Sequence, residues 1–317
     1  MKKLLTIMLL LITTSLMPGW KWEKLDTGEG PPICLNSEYQ YFHLAYDPNI
    51  KSLVFTYWNQ DINKIDTWIW DGVEWTFDCT HDPSSGQDDL QFESNQMFYD
   101  ELNNTMIDIR MYVCNSNPPH PYQCDLLCKK DESTCWQCFT ESEATLLSAY
   151  DTDRKRAIMM SNYFDHIFEW DGDQIHEIQL SSYYHADRVA YDESSQRIIM
   201  HFRGRGQTHE YDGVNIQTYD GEILIGDTAW DMAYNPILSR VVTAFIGGGT
   251  YIYKNHKWNR LCPGNCGLSD FSYFERLVYF PPTNQFLLIT NPLYTQDCLA
   301  FYKLVRKHEI PFNKQPE

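Results

Sequence analysis

Ala45-Tyr46-Asp47 opens a pattern that returns as Phe98-Tyr99-Asp100, Ala149-Tyr150-Asp151, Ala190-Tyr191-Asp192, Ala233-Tyr234-Asn235 and, weakly, Val278-Tyr279-Phe280. The tyrosines stand 53, 51, 41, 43 and 45 residues apart. A polar turn follows each anchor, and then a β-branched or apolar run such as Leu53-Val54-Phe55, Ile198-Ile199-Met200 or Phe286-Leu287-Leu288-Ile289. Further on, an aromatic precedes a tight turn at Trp70-Asp71-Gly72, Trp170-Asp171-Gly172 and Tyr211-Asp212-Gly213, with Tyr253-Lys254-Asn255 in the fifth unit. Asp-Gly suits the positive φ angles of a type I′ hairpin, so each of these marks a strand reversal. Trp75 and Trp258 then start another strand. Helical periodicity is missing beyond the N-terminal apolar run. Four short strands per unit, repeated six times, predict an all-β chain folded as a six-bladed β-propeller, a single domain over residues 18–317.

The set of anchor Tyr-Asp, β-branched strand, Gly-rich turn (Gly247-Gly248-Gly249), aromatic-Asp-Gly and Trp resembles kelch-like repeats and the related galactose-oxidase-type propellers, over roughly residues 37–305. The full glycine pair occurs only in the fifth unit, and the third and sixth units lack the final Trp. The resemblance implies a fold and no activity, because such propellers serve as binding scaffolds and as enzymes alike.

Lys21-Trp22-Glu23-Lys24-Leu25 aligns with Lys257-Trp258-Asn259-Arg260-Leu261. That match makes the N-terminal segment an outermost strand, expected to complete the last blade and so remove the open edge of the ring. The second unit departs from the pattern. It has no Asp-Gly hairpin, and between Met106-Ile107-Asp108-Ile109 and the third anchor it carries five cysteines and Pro118, Pro119 and Pro121. This stretch, about 112–140, reads as a disulfide-held excursion replacing or extending the outer strands of the second blade, either as a recognition surface or as a staple.

Lys2 and Lys3 before the apolar run Leu4 to Ile12, then Thr13, Thr14 and Ser15, read as a secretory signal peptide over residues 1–17. The run is shorter than the roughly 18 apolar residues that span a bilayer, so a secreted or extracytoplasmic protein without stable membrane insertion is expected. In that compartment the ten cysteines, Cys34, Cys79, Cys114, Cys124, Cys128, Cys135, Cys138, Cys262, Cys266 and Cys298, read as disulfides. The C-x3-C and C-x2-C spacings of the cluster would also suit zinc, but six residues between the pairs and an oxidising compartment favour bridges. Five is odd, so full oxidation requires at least one cluster cysteine to pair outside the cluster. With 25 Lys and Arg against 43 Asp and Glu, a net charge of -18, the chain repels phosphate backbones, and nucleic acid is excluded as a partner.

Motifs for a P-loop, dinucleotide binding, a nucleophile elbow, a sialidase box or an embedded zinc site are missing, so no cofactor or metal is implied. One constellation emerges by aligning the repeats. Three residues before each anchor tyrosine stand His43, Gln96, Leu147, Arg188, Asp231 and Arg276, polar in five units of six. Two before it stand Leu44, Met97, Ser148, Val189, Met232 and Leu277. Alternation assigns the second set to the core and the first to the start of the innermost strand, where the channel opens. The first set, with Asp187, Trp230 and Glu275 one residue earlier, reads as a mixed-charge ring around the channel mouth, or as ordinary strand-end polar residues. The leading expectation is a module binding a protein or carbohydrate ligand there. The alternative is an extracellular carbohydrate-active enzyme using acids such as Asp231 and Glu275.

Overall fold

A computed structural model describes residues 20–27, 30–31, 42–59, 62, 64–82, 97–115, 122–131, 135–143, 147–161, 163–202, 206–220, 229–245, 249–262, 272–292 and 300–306. The signal peptide expected over residues 1–17 lies outside them. Six sheets of four antiparallel strands form the six blades of a β-propeller. The first strands of successive blades, Phe42–Asp47, Met97–Asp100, Leu147–Asp151, Arg188–Asp192, Ala229–Asn235 and Ser272–Phe280, touch one another in order, and the last touches the first. Helix among the described residues is confined to the 3-10 turn Pro281–Thr283.

The anchors end these inner strands, and their chemistry explains their recurrence. The acid closes its own turn: Asp47, Asp100, Asp151 and Asp192 each accept the N–H two residues on, at 2.8, 2.9, 3.1 and 3.0 Å. Four residues after the anchor acid position, Lys51, Asn104, Lys155, Gln196, Ser239 and Asn284 all take a left-handed φ between 52° and 56°. The tyrosine ties its blade to the one before. Tyr99 donates to Asn49 Oδ1 at 3.0 Å, Tyr150 accepts from Glu101 N at 3.0 Å, and Tyr191 donates to Asp153.

Each gap between blades holds one apolar cluster. Leu53 and Phe55 face back onto Phe280, Leu287 and Ile289 of blade six, while Val54 between them faces forward onto Met97 and Met106 of blade two. Alternation along a strand therefore serves two neighbours, and burying both faces is what forces the closed ring.

Closure runs as the sequence suggests. Trp20–Leu25 pairs antiparallel with Ala300–Arg306 and completes blade six, with Trp22 opposite Leu304. Trp22 is 3% exposed and donates Nε1–H to Thr250 Oγ1 of blade five at 2.8 Å. Trp258 does the same to Thr208 of blade four at 3.0 Å, and Trp136 to Thr67 of blade one at 2.9 Å.

One expectation changes, and one open alternative is resolved. The Asp-Gly turns are not type I′: only the glycine takes a positive φ, 103° at Gly72 and 97° at Gly213. The aspartate side chain closes each loop instead, Asp71 Oδ1 accepting from Val73 N at 2.8 Å and Glu74 N at 2.9 Å. A Cβ on Gly72 would also meet Phe280 of blade six at 2.8 Å. The cysteine-rich stretch, for its part, extends blade two and does not replace its outer strands: Thr105–Asn115, Tyr122–Asp131 and Cys135–Glu143 form its second to fourth strands. Cys128 bridges Cys138 across two of them, and Cys135 bridges Cys79 of blade one, the required link out of the cluster. Cys262 is disulfide-bonded too. Cys34, Cys266 and Cys298 and the side chains of Cys114 and Cys124 lie outside the description.

Candidate functional site

Of the predicted ring residues, His43, Arg188, Asp231 and Arg276 lie on inner strands, and His43, Asp231 and Arg276 are buried there. A strand in this fold shows its two faces to two blades, so residues of both aligned sets are buried between blades. Leu44 packs back on blade six, while His43 faces blade two. His43 is 1% exposed, Arg276 6% and Asp231 8%.

What these side chains form is a belt passing from blade four through five, six and one to blade two. Arg188, half-buried, donates Nη1–H to the Asp187 carbonyl, and Asp187 N bonds His201 O at 2.8 Å. Asp231 accepts from Met232 N at 2.9 Å and, across the gap, from Leu277 N of blade six at 2.8 Å. Arg276 donates Nη2–H to the Phe42 carbonyl of blade one at 2.9 Å and stands over the Phe42 ring. His43 Nδ1 meets Asp108 Oδ1 of blade two at 2.5 Å, and Arg110 Nε donates to the other oxygen of Asp108 at 2.8 Å. Arg110 Nη1 reaches His81 Nε2.

Charge alternates along this belt, and burial sets its protonation. Burial raises the Asp231 carboxyl above its ordinary range, against the pull of Arg276 and Arg188. For Asp108 burial also pushes up, but Arg110 and His43 together hold it below that range. Burial pushes the His43 imidazole down. His81 falls to about 3, first through burial and then through the Arg110 charge. Because a guanidinium only donates, His81 Nε2 is the acceptor and the ring proton belongs on Nδ1. His81 Nδ1 and Arg110 Nη2 are then two buried donors without an acceptor among the described residues.

The remaining predicted residues are less informative. Gln96 lies outside the described residues, as do the side chains of Trp230 and Glu275. Both of the latter fall where the inner strand shifts register against its partner, between Ala229 and Asp231 and between Phe274 and Arg276. Asp108, Arg110 and His81 belong to the belt and were not singled out from sequence. Their signal was there: two charges, Asp108 and Arg110, inside an apolar strand are costly unless paired. Among the described residues no group of three or more His, Cys, Asp or Glu could hold a metal ion.

No protein-family model matches the chain, and no curated protein matches it in sequence. Similarity is to solved structures. A structural genomics protein of unknown function from Bacteroides thetaiotaomicron superposes with a TM-score of 0.57 at 7% identity, covering 91% of this chain and 77% of that one. An auxiliary nutrient binding protein from the same organism gives 0.56 at 10% identity, covering 92% and 77%. A chain of the COPII outer coat vertex gives 0.54 at 8%, covering 85% and 70%. Identities this low establish the fold alone, and the chain is a six-bladed β-propeller.

Proposed function

We propose that this protein is an exported ligand-binding propeller of kelch-like repeat type, taking a carbohydrate or protein ligand at the channel mouth. The observation that carries this reading is the belt of alternating charge from Arg188 to Arg110, which gathers inner-strand residues of blades four, five, six and one and, from blade two, Asp108 and Arg110 of its second strand. Ligands of repeat folds bind where several units converge, and Arg110 Nη2 and His81 Nδ1 are donors that lack an acceptor among the described residues. That one structural neighbour is an auxiliary nutrient binding protein supports the same reading. Disulfides Cys79–Cys135 and Cys128–Cys138 support an oxidising compartment. Among the described residues no helix is long and apolar enough to cross a membrane. The enzyme alternative gains nothing from Asp231, whose oxygens are engaged by two backbone N–H groups.

The test is a glycan and polysaccharide array probed with wild type and with Arg188→Ala. Arg188 is chosen because it is half-buried and donates Nη1–H to the Asp187 carbonyl of its own blade. Arg276→Ala would unbind Phe42 O of the next blade and is a poorer probe. Loss of the wild-type signal in Arg188→Ala is expected, and an unchanged signal would move the ligand elsewhere.

A further inference from the structure

Between blades two and three lies a cleft of about 420 Å3, floored by Ile107 and Thr105 and walled by Lys129, Phe139 and the Trp170 turn. That volume suits a small-molecule ligand.

Comparing the blades shows why space opens here. At the next junction the corresponding volume is filled from within: Arg154 and Arg156 ion-pair with buried Glu169 at 2.8 and 2.7 Å, and Tyr211 of blade four donates to the same carboxylate at 3.1 Å. The junction after that repeats the scheme, with Arg197 on Glu210 at 2.6 Å and Tyr253 at 2.9 Å. Counted from the anchor acid, Asn103 and Thr105 stand where blade three has Arg154 and Arg156. Lys129, opposite Ile107, stands where Glu169 lies opposite Ile158. Short neutral side chains leave the volume empty of protein, and a cation occupies the place of the carboxylate.

We propose that this cleft binds a carboxylate-bearing sugar ring of the uronic acid type, with the carboxylate on Lys129 and the apolar ring face on Phe139. Lys130 beside it is held by Asp78, so Lys129, exposed on the cleft wall, is the cation that faces the ligand. Phe139 is 40% exposed beside the cleft, and contact with Trp170 at 5.3 Å fixes its ring. Asn103, Asp131 and Asp173 line the same space with the amide and carboxylate groups that hydroxyls require. The proposal does not rest on the channel-mouth reading.

The experiment is calorimetric titration of the full chain with glucuronate and trigalacturonate, against glucose as the neutral control. Saturable binding of the acidic sugars is expected, at least tenfold tighter than glucose, and weakened at least tenfold by Lys129→Glu or Phe139→Ala. Asn103→Arg with Lys129→Glu rebuilds the ion pair of the neighbouring junction, since Arg154 bonds Asp151 Oδ2 as Asn103 bonds Asp100 Oδ2. That variant should fold and bind no sugar acid. If its thermal melt shows misfolding, Phe139→Ala, at an exposed site, decides. Glucose binding as tightly as glucuronate, or full binding by the rebuilt variant or by Phe139→Ala, overturns the proposal. Loss of glucuronate binding in Arg188→Ala with these cleft variants unaffected also overturns it and assigns the sugar acid to the channel mouth.

Discussion

Trp22 donates its indole N–H to Thr250 across 228 residues of sequence, and this bond joins the first strand of the chain to the fifth blade. Trp258 with Thr208 and Trp136 with Thr67 repeat the pair at two other junctions. At the junction of blades six and one the residue in the threonine position is Phe301. Trp75 there packs on the Phe301 ring at 5.4 Å, and its Nε1 has no partner among the described residues. The pairing of Trp with Thr is thus a property of the junction and not of one blade.

Trp22→Ala should lower unfolding free energy by about 3–5 kcal/mol, the cost of truncating a buried aromatic. Thr250→Val should cost about 1–3 kcal/mol, because the indole N–H stays buried without an acceptor. Urea denaturation followed by tryptophan fluorescence measures both. An unchanged midpoint in Trp22→Ala would mean that the ring is not closed by the N-terminal strand.

Cys79–Cys135 joins blades one and two. Replacing both cysteines with serine should remove about 2–4 kcal/mol. Peptide mapping without reduction should recover Cys79 linked to Cys135 and Cys128 linked to Cys138; free thiols at these four positions would contradict the assignment.

Glu169, 2% exposed, holds Arg154 and Arg156 and accepts from Tyr211. Glu169→Ala leaves two arginines without their carboxylate and should cost about 3–5 kcal/mol. The same change at exposed Glu177 should cost no more than about 0.5 kcal/mol. Thermal melts of the two variants side by side check the contrast.

The histidines make stability sensitive to acid. Burial lowers His201 to about 4, and His81 to about 3 with help from Arg110. Both are neutral in the folded state, whereas in the unfolded chain they titrate near 6.5. The unfolded state therefore binds more protons below that value, and the stability these groups contribute, complete above pH 6.5, drains away as pH falls toward 4 and then 3. His201→Gln should flatten the fall in melting temperature between pH 6.5 and 4. A variant whose acid dependence matches wild type would contradict this.

The architecture was legible in sequence because a propeller repeats one solution six times. The Tyr-Asp anchors, the match of Lys21-Trp22 to Lys257-Trp258 and the link from the cysteine cluster to another unit all survive in the structure. Alternation misled at His43, Asp231 and Arg276, because it separates two faces and does not say that both are covered. The left-handed residues four after each anchor acid position escaped notice since Lys51, Lys155 and Gln196 are not residues that announce a positive φ. The open cleft was invisible in any one unit. It shows only when Asn103, Thr105 and Lys129 are compared with residues that the fold proves equivalent.

The central claim, that a ligand is recognised where the inner strands begin, is tested most directly by a crystal structure of the protein bound to the strongest glycan from the array. Ligand density over the starts of the strands at Phe42, Arg188 and Ala229, with a ligand oxygen within hydrogen-bonding distance of the Arg188 guanidinium, is the predicted result. Density elsewhere on the molecule, with the belt from Arg188 to Arg110 untouched, would contradict it.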